Sequence, residues 1–444
     1  MTTTTRRLSR PLLAALLITA PAVAAETLRL DADTAARLAL EASARVTAAN
    51  ARRAGAESAV AAADAARLPT VTTAALLSQR SAVPEFSAPL DGPGAPPRVI
   101  FPNIETAYDA NLALTQPLYA GGAIGAGRAA ARHDLEAAVR ARDLTTSELR
   151  YAARAGYWQA AAAEAALHAA EAQEVRAGRL HEDAQALRAA GMAVDADLLG
   201  AAARAAAARV DVVQAAADRD DALAALRSLL GLDPGTTLEL GDAGATALPP
   251  PPAPLSALVR QALEDRPDLR LADARIASLA ARERAVDAGR RPTVGLQALW
   301  DLSRPNQRYL PLADAWNDSW SVGLTAAWTV FDGDRVRSST AAVRAGREAA
   351  AADRDELARR ARLAVESARL RLQAAFDAVP AADAARAAAE SREQASRERY
   401  AAGLAPIQEI LDAQADLADA ELARIRSRAT AWIAAATLDR AVGR

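Results

Sequence analysis

The chain has no cysteine, no lysine and little aromatic character, with Phe, Trp and Tyr making up 4% of its 444 residues. Without cysteine there is no disulfide, no thiolate metal site and no acylated cysteine at a mature N-terminus. Scarce aromatics beside abundant alanine rule out a thick globular core. Such helices pack by close backbone approach, which favours extended coiled-coil walls. The formal net charge of −2 argues against a nucleic-acid-binding surface. Every basic residue among the Lys+Arg count is Arg, a usage that fits GC-rich codons rather than chemistry. Beyond the N-terminus no stretch approaches about 18 apolar residues free of charge, so a transmembrane helix is excluded. A chain of this kind that enters a membrane must do so with β-strands.

What is present begins with an export signal. Arg6, Arg7 and Arg10 form a basic region, Pro11 to Ala20 an apolar one, and Ala22-Val23-Ala24-Ala25 a small-residue cleavage site. Residues 1–25 are therefore expected to be a secretory leader.

The remainder is written twice. Gln116-Pro117-Leu118-Tyr119-Ala120-Gly121-Gly122 returns 212 residues later as Trp328-Thr329-Val330-Phe331-Asp332-Gly333-Asp334. At the same offset Ala190-Gly191-Met192-Ala193 returns as Ala402-Gly403-Leu404-Ala405, and Leu226 with Gly231 as Leu438 with Gly443. Leu68-Pro69-Thr70-Val71 returns as Arg291-Pro292-Thr293-Val294 after 223 residues. A tandem duplication means one structural unit used twice. The expected division is repeat 1 over 26–240, a proline-rich linker over 241–254 and repeat 2 over 255–444.

Alanine and arginine are strong helix formers. Helical pattern fills 31–67, 120–190, 195–230, 255–290, 334–402 and 407–442. The longest helices would reach roughly 100 Å at about 1.5 Å per residue, and Pro380 is expected to kink or interrupt the second of them. Long helices flanked by stacked short ones suit the wall of a tube. Four stretches are not helical, with strands expected at about 70–80, 105–118, 293–302 and 319–331. Three of them alternate clearly, as Trp320, Val322, Leu324 and Ala326 do against Ser321, Gly323 and Thr325; Thr70 to Arg80 alternates poorly. Their length suits a tilted strand crossing a bilayer, apolar outward and polar inward. Tyr108, Tyr119, Trp300, Trp320, Trp328 and Phe331 are candidate membrane-interface aromatics. The alternative is a pair of soluble hairpins on a small core. Four strands cannot close a barrel around a pore, so a membrane role requires oligomerisation, and three copies would supply twelve strands.

These residues resemble the TolC-like outer-membrane efflux protein family. The resemblance rests on Leu-Thr-Gln-Pro-Leu-Tyr-x-Gly-Gly at 114–122, Arg-Pro-Asp-Leu at 266–269, Tyr-x-x-Gly-Leu at 400–404 and Ile-Leu-Asp-Ala-Gln-x-x-Leu at 410–417. It implies a mostly α fold with a small β part. Long antiparallel coiled-coil helices would form a trimeric α-helical barrel, continuous with a 12-stranded transmembrane β-barrel to which each protomer gives four strands. The implied partners are two further copies, a periplasmic adaptor, an inner-membrane transporter of RND or ABC type, and outer-membrane lipid, with no nucleic acid. The implied role is the exit duct of a tripartite efflux system exporting small molecules or metal ions. The same channel serving type I protein secretion, or a poreless periplasmic coiled-coil protein, are the alternatives. The second copy departs from the pattern by lacking proline at Thr329, and Ala405-Pro406 stand where a basic or small polar residue is common.

In both copies the long helix ends at glycine and acids follow. By resemblance these turns are the periplasmic tips. Asp195, Asp197, Glu409 and Asp412 are candidates for an acidic gate ring, and Gly191, Met192, Gly403 and Leu404 for adaptor docking. Acids in a first helical turn also cap free N–H groups and complement the helix dipole, and a glycine there also serves as a plain helix stop. No catalytic constellation, metal-ligand spacing or phosphate loop occurs, so neither an enzyme nor a cofactor is expected.

Overall fold

Proline, glycine and serine punctuate the chain into an element order that repeats. The structure, a computed structural model, describes residues 27–89, 92, 94–241 and 247–444. The expected leader and residues 242–246 of the expected linker lie outside the described residues. The first half runs β1 (Thr27–Leu30), α1 (Ala32–Ala42), α2 (Ala44–Ala65), β2 (Thr70–Gln79), a small hairpin of β3 (Phe86–Ala88) and β4 (Arg98–Phe101), β5 (Thr106–Ala120), α3 (Ala123–Ala189) and α4 (Asp195–Leu230). The second runs β6 (Thr237–Leu240), α5 (Leu255–Asp265), α6 (Pro267–Asp287), β7 (Thr293–Arg304), β8 (Asn317–Ala327), α7 (Arg335–Ala401) and α8 (Ile407–Val442).

The duplication is quantitative. Helices α3 and α7 are each 67 residues, and α4 and α8 are each 36. At about 1.5 Å per residue the long pair reach roughly 100 Å. Each is entered through two consecutive left-handed residues, Gly121 and Gly122 (φ 63° and 95°) in one copy and Gly333 and Asp334 (φ 65° and 64°) in the other. At Gly121 a Cβ would lie 2.6 Å from the Ala288 carbonyl oxygen, so close packing and backbone conformation both demand glycine there.

Two expected single helices are each two. The pattern over 31–67 breaks at Ser43, whose backbone leaves the helical region (ψ 117°) and whose Oγ accepts from the Arg45 N–H at 3.2 Å. The pattern over 255–290 breaks at Arg266 because the residue before Pro267 is pushed out of the helical region (ψ 124°). Pro380, by contrast, does not interrupt α7. It lies on the exposed side next to buried Val379, where water can satisfy the carbonyl its missing N–H leaves free.

Helix α3 packs along α4, α6 and α8, while α7 packs along α8 and α6. The cores are thin, as small side chains require. One gathers Leu30, Tyr157, Trp158, Leu226 and Leu230 around the parallel pair β1–β6, with Trp158 stacked on Trp432 at 5.0 Å. A second joins Leu258 and Ala262 to Val365, Leu372 and Val442. A third holds the far ends of the helices together through Leu180, Ala184, Tyr400, Ile407 and Ile410.

The four long strands form one antiparallel sheet in the order β2-β5-β7-β8. Register resolves the poorly alternating stretch: Val71, Thr73, Ala75 and Leu77 stand opposite Leu114, Leu112, Ala110 and Tyr108. They therefore share the apolar face with Trp300 and Trp320, which are directly paired. The opposite face carries Thr72, Ser78, Asp109, Asn111, Thr115, Gln297, Asp301, Ser303, Ser321 and Thr325. A bulge at Leu118 resets β5, so Tyr119 pairs with Val294 and joins the apolar face that simple alternation would deny it. Strand β8 stops at Ala327 rather than running on to 331, because its partner Thr293 is the first residue of β7.

Candidate functional site

The helical tips are two copies of one turn. Helix α3 closes with Gly191 N–H bonded to the Arg188 carbonyl at 3.0 Å and Met192 N–H to the Leu187 carbonyl at 2.8 Å. Helix α7 closes with Gly403 N–H on the Tyr400 carbonyl at 2.9 Å and Leu404 N–H on the Arg399 carbonyl at 2.8 Å. Both glycines are left-handed (φ 76° and 72°), the signature of a Schellman stop. The residue after each points into solvent: Met192 is 71% exposed and Leu404 72%. Val194 and Leu199 extend the exposed apolar surface of the first tip.

The four acids are not equivalent. Asp195 accepts from Arg188 Nε at 2.5 Å, and this hydrogen bond and the guanidinium charge hold its carboxyl below the usual carboxylate range. Glu409 is half-buried and accepts from Arg399 Nη1 at 2.8 Å and from Ser396 Oγ at 3.3 Å. Each of these two pairs ties the last turn of a long helix to the first turn of the next. Asp197 accepts the Val194 N–H at 3.4 Å, half of a capping box, and Asp412 accepts from Gln408 Nε2 at 2.8 Å. Asp195 and Glu409 therefore carry a cationic partner from their own chain; Asp197 and Asp412 are held by neutral donors.

Two tip residues, Arg188 and Arg399, carry no signal in the sequence, and Tyr400 stands there only as the start of a family motif. Arg188 and Arg399 lie seven and ten residues from their acids, separations that become contacts only once the turn has folded. Tyr400 is buried against Ile407 and Ile410, and its hydroxyl has no hydrogen-bond partner among the described residues. Burial, then the nearby charges of Asp197 and Asp183, push that hydroxyl above its usual range.

At the other end of the molecule the aromatics stand in two rows. Tyr108, Trp300 and Trp320 lie toward the β7–β8 loop, with Trp316 5.6 Å from Tyr108. Tyr119, Trp328 and Phe331 lie toward the helices; Trp328 Nε1 donates to the Arg290 carbonyl at 3.0 Å. Tyr108 and Tyr119 are eleven steps apart on β5, about 36 Å at ~3.3 Å per residue. Tilting by about 40° brings this to about 28 Å, close to the ~30 Å hydrocarbon thickness. Among the described residues no helix is long and apolar enough to cross a membrane, and no three Asp, Glu, His or Cys side chains are placed to ligate a metal ion.

The model of the outer membrane efflux protein family matches residues 35–232 and 258–444. No curated relative matches the chain in sequence. Among solved structures, a membrane protein from Pseudomonas aeruginosa is 22% identical, with a TM-score of 0.77 over 93% of this chain and 90% of its own. The outer membrane protein VceC from Vibrio cholerae is 20% identical, with a TM-score of 0.76 over 93% and 96%. The open state of the MtrE outer membrane channel from Neisseria gonorrhoeae is 19% identical, with a TM-score of 0.76 over 93% and 88%. At these identities the likenesses establish a shared fold.

Proposed function

The chain belongs to the outer membrane efflux protein family, and on that premise we propose that three copies form the outer-membrane exit duct of a tripartite efflux system. The observation that carries this reading is the sheet. It has one apolar and one polar face, and both its edges, β2 and β8, are open. An open, exposed strand edge invites pairing with another chain. Four strands cannot enclose a pore, whereas three copies of four make twelve. The apolar face, with Trp320 70% exposed, then meets lipid and the polar face lines water. Helices of roughly 100 Å carry the duct across the periplasm. Small molecules or metal ions are the proposed cargo, chosen by the transporter rather than by this wall.

The tips serve two proposed roles. Exposed Met192 and Leu404, presented by left-handed glycines Gly191 and Gly403, suit docking to a periplasmic adaptor, which in turn brings an inner-membrane transporter. Asp197 and Asp412, free of cationic partners in the tip turns, would contribute most to an acidic ring where three copies converge; Asp195 and Glu409 would contribute less. No catalytic role is assigned to any residue.

The seam between protomers is directly testable because the chain contains no cysteine. Strands β2 and β8 lie at opposite edges of one sheet, so a disulfide between them must join two chains. Thr72→Cys combined in turn with Ser321→Cys, Gly323→Cys and Thr325→Cys should yield a covalent trimer in at least one register. If no combination gives a covalent oligomer in membranes, the seam is misplaced and the duct with it.

A further inference from the structure

The loop between β7 and β8 does not stand clear of the sheet. Its first residues turn back across the polar face. Asn306 is 2% exposed and uses both ends of its amide. Its Nδ2 donates to Ser319 Oγ at 3.2 Å, to the Asn317 carbonyl at 3.1 Å and to Asp301 Oδ2 at 3.4 Å, while its Oδ1 accepts the Arg308 N–H at 2.9 Å. Ser303 Oγ reinforces the anchor by donating to the same Asp301 oxygen at 2.7 Å. Arg308 Nη1 then reaches the Trp320 carbonyl at 2.7 Å, and the Tyr309 hydroxyl reaches the Asp318 carbonyl at 2.9 Å.

The face on which this happens decides its meaning. Asp301 pairs with Ser319, and Ser303 with Asn317 and Asp109. All belong to the polar face opposite Trp300 and Trp320. A cavity of about 280 Å³ separates residues 305–308 from Ser78 and Asp109 on that same face. The segment therefore lies over the side of the sheet that lines water in the duct, at the end remote from the helices.

We propose that residues 305–308 form an inward-folded strap, anchored by Asn306, that narrows the outer mouth of the duct and limits what passes there. The inference rests on the channel reading above. Three copies place three straps around one opening, each across a cavity from Asp109 and Asp301 of the polar face. A constriction at this end makes permeation depend on residues far from the tips, since a pore conducts no better than its narrowest segment.

The test is substituted-cysteine labelling in planar bilayers. Gln307 is exposed on the strap, and the cysteine-free background makes Gln307→Cys the only thiol. A bulky water-soluble thiol reagent added to the outer chamber should reduce single-channel conductance about twofold or more, in discrete steps as successive copies react. Asn306→Ala, which frees the strap, should raise conductance before any reagent is added. Complete labelling by mass with unchanged current would overturn the strap, as would failure of the thiol to react. Equal conductance in Asn306→Ala would overturn the anchor. No current from the unlabelled protein would instead sink the channel reading itself, a failure visible before the reagent is added.

Discussion

Gly231 and Gly443, 212 residues apart, perform one task in the two halves of the molecule. Each ends the last helix of its repeat in the left-handed region, at φ 66° and 91°. Each presses on the break between two short helices. A Cβ on Gly231 would lie 2.8 Å from the Ala42 Cβ, and one on Gly443 would lie 2.9 Å from the Arg266 backbone nitrogen. The sequence repeat is thus a repeat of one joint, where the ends of α4 and α8 seat against the α1–α2 and α5–α6 breaks.

That joint sets the first prediction. Gly443→Ala meets both a left-handed backbone and a rigid backbone neighbour, so it should cost more than the roughly 1–2 kcal/mol of the conformation alone. Gly403→Ala has the same kind of φ but nothing within 4 Å, so its cost should stay near that figure. Chemical denaturation of the two variants should rank them in that order; equal midpoints would contradict the packing argument.

Arg266 offers a second. Its Nη1 donates to the Ala441 carbonyl at 3.1 Å, capping the end of α8, while Nε and Nη2 hold Asp268 at 3.0 and 2.6 Å. The Arg-Pro-Asp-Leu run is thus a structural clamp. Arg266→Ala should destabilise the protein by about 2 kcal/mol, and Lys should not restore the loss because it lacks the fork geometry. Full rescue by Lys would show that charge alone matters.

The Arg188–Asp195 pair predicts a pH response. The folded carboxyl is held below its unfolded value, so its contribution to stability is present above the ordinary carboxylate pKa of about 3.9. It is lost as pH falls through the depressed folded value. Hydrogen exchange at Gly191 and Met192, corrected for intrinsic rate, should stay constant from neutral pH to the ordinary carboxylate range and rise below it. In Asp195→Asn the acid-induced rise should be smaller; an unchanged profile would assign it to other groups.

For the proposed acidic ring, Asp412→Asn should reduce cation preference in single-channel recordings more than Glu409→Gln, because Arg399 already offsets Glu409. Unchanged preference in both variants would remove the acidic ring from the account.

Docking is tested by charge. Met192→Asp and Leu404→Asp place a carboxylate on the exposed apolar side chain of each tip and should abolish adaptor crosslinking while leaving trimers intact. Persistent crosslinking in the double variant would move the docking surface elsewhere.

How much of this could be read from the chain depends on where the deciding contact lies. Helix lengths and the 212-residue offset were open to reading because they depend on local spacing, and three strands announced themselves by alternation. The face of β2 did not, since Thr72, Thr73, Ala74 and Ala75 look alike until β5 assigns each a partner. Tyr119 joins the apolar face only because of a bulge that leaves no clear local signal. Ser43 looks like an ordinary helix residue in the chain, and the helix breaks there where Gly231 packs against the neighbouring Ala42. At the tips the acids were visible as a cluster after glycine, but their inequality follows from Arg188 and Arg399, which only the folded turn brings near. Asn306 was one polar residue in a polar loop; its role appears when the loop folds back over Asp301.

The central claim, that this chain builds a conducting pore, is tested most directly by planar-bilayer recording of the purified, detergent-extracted protein with its mass measured alongside. The account predicts a trimer with discrete, cation-selective openings. A water-soluble species that passes no current would contradict it and return the four strands to the surface of a periplasmic coiled-coil protein.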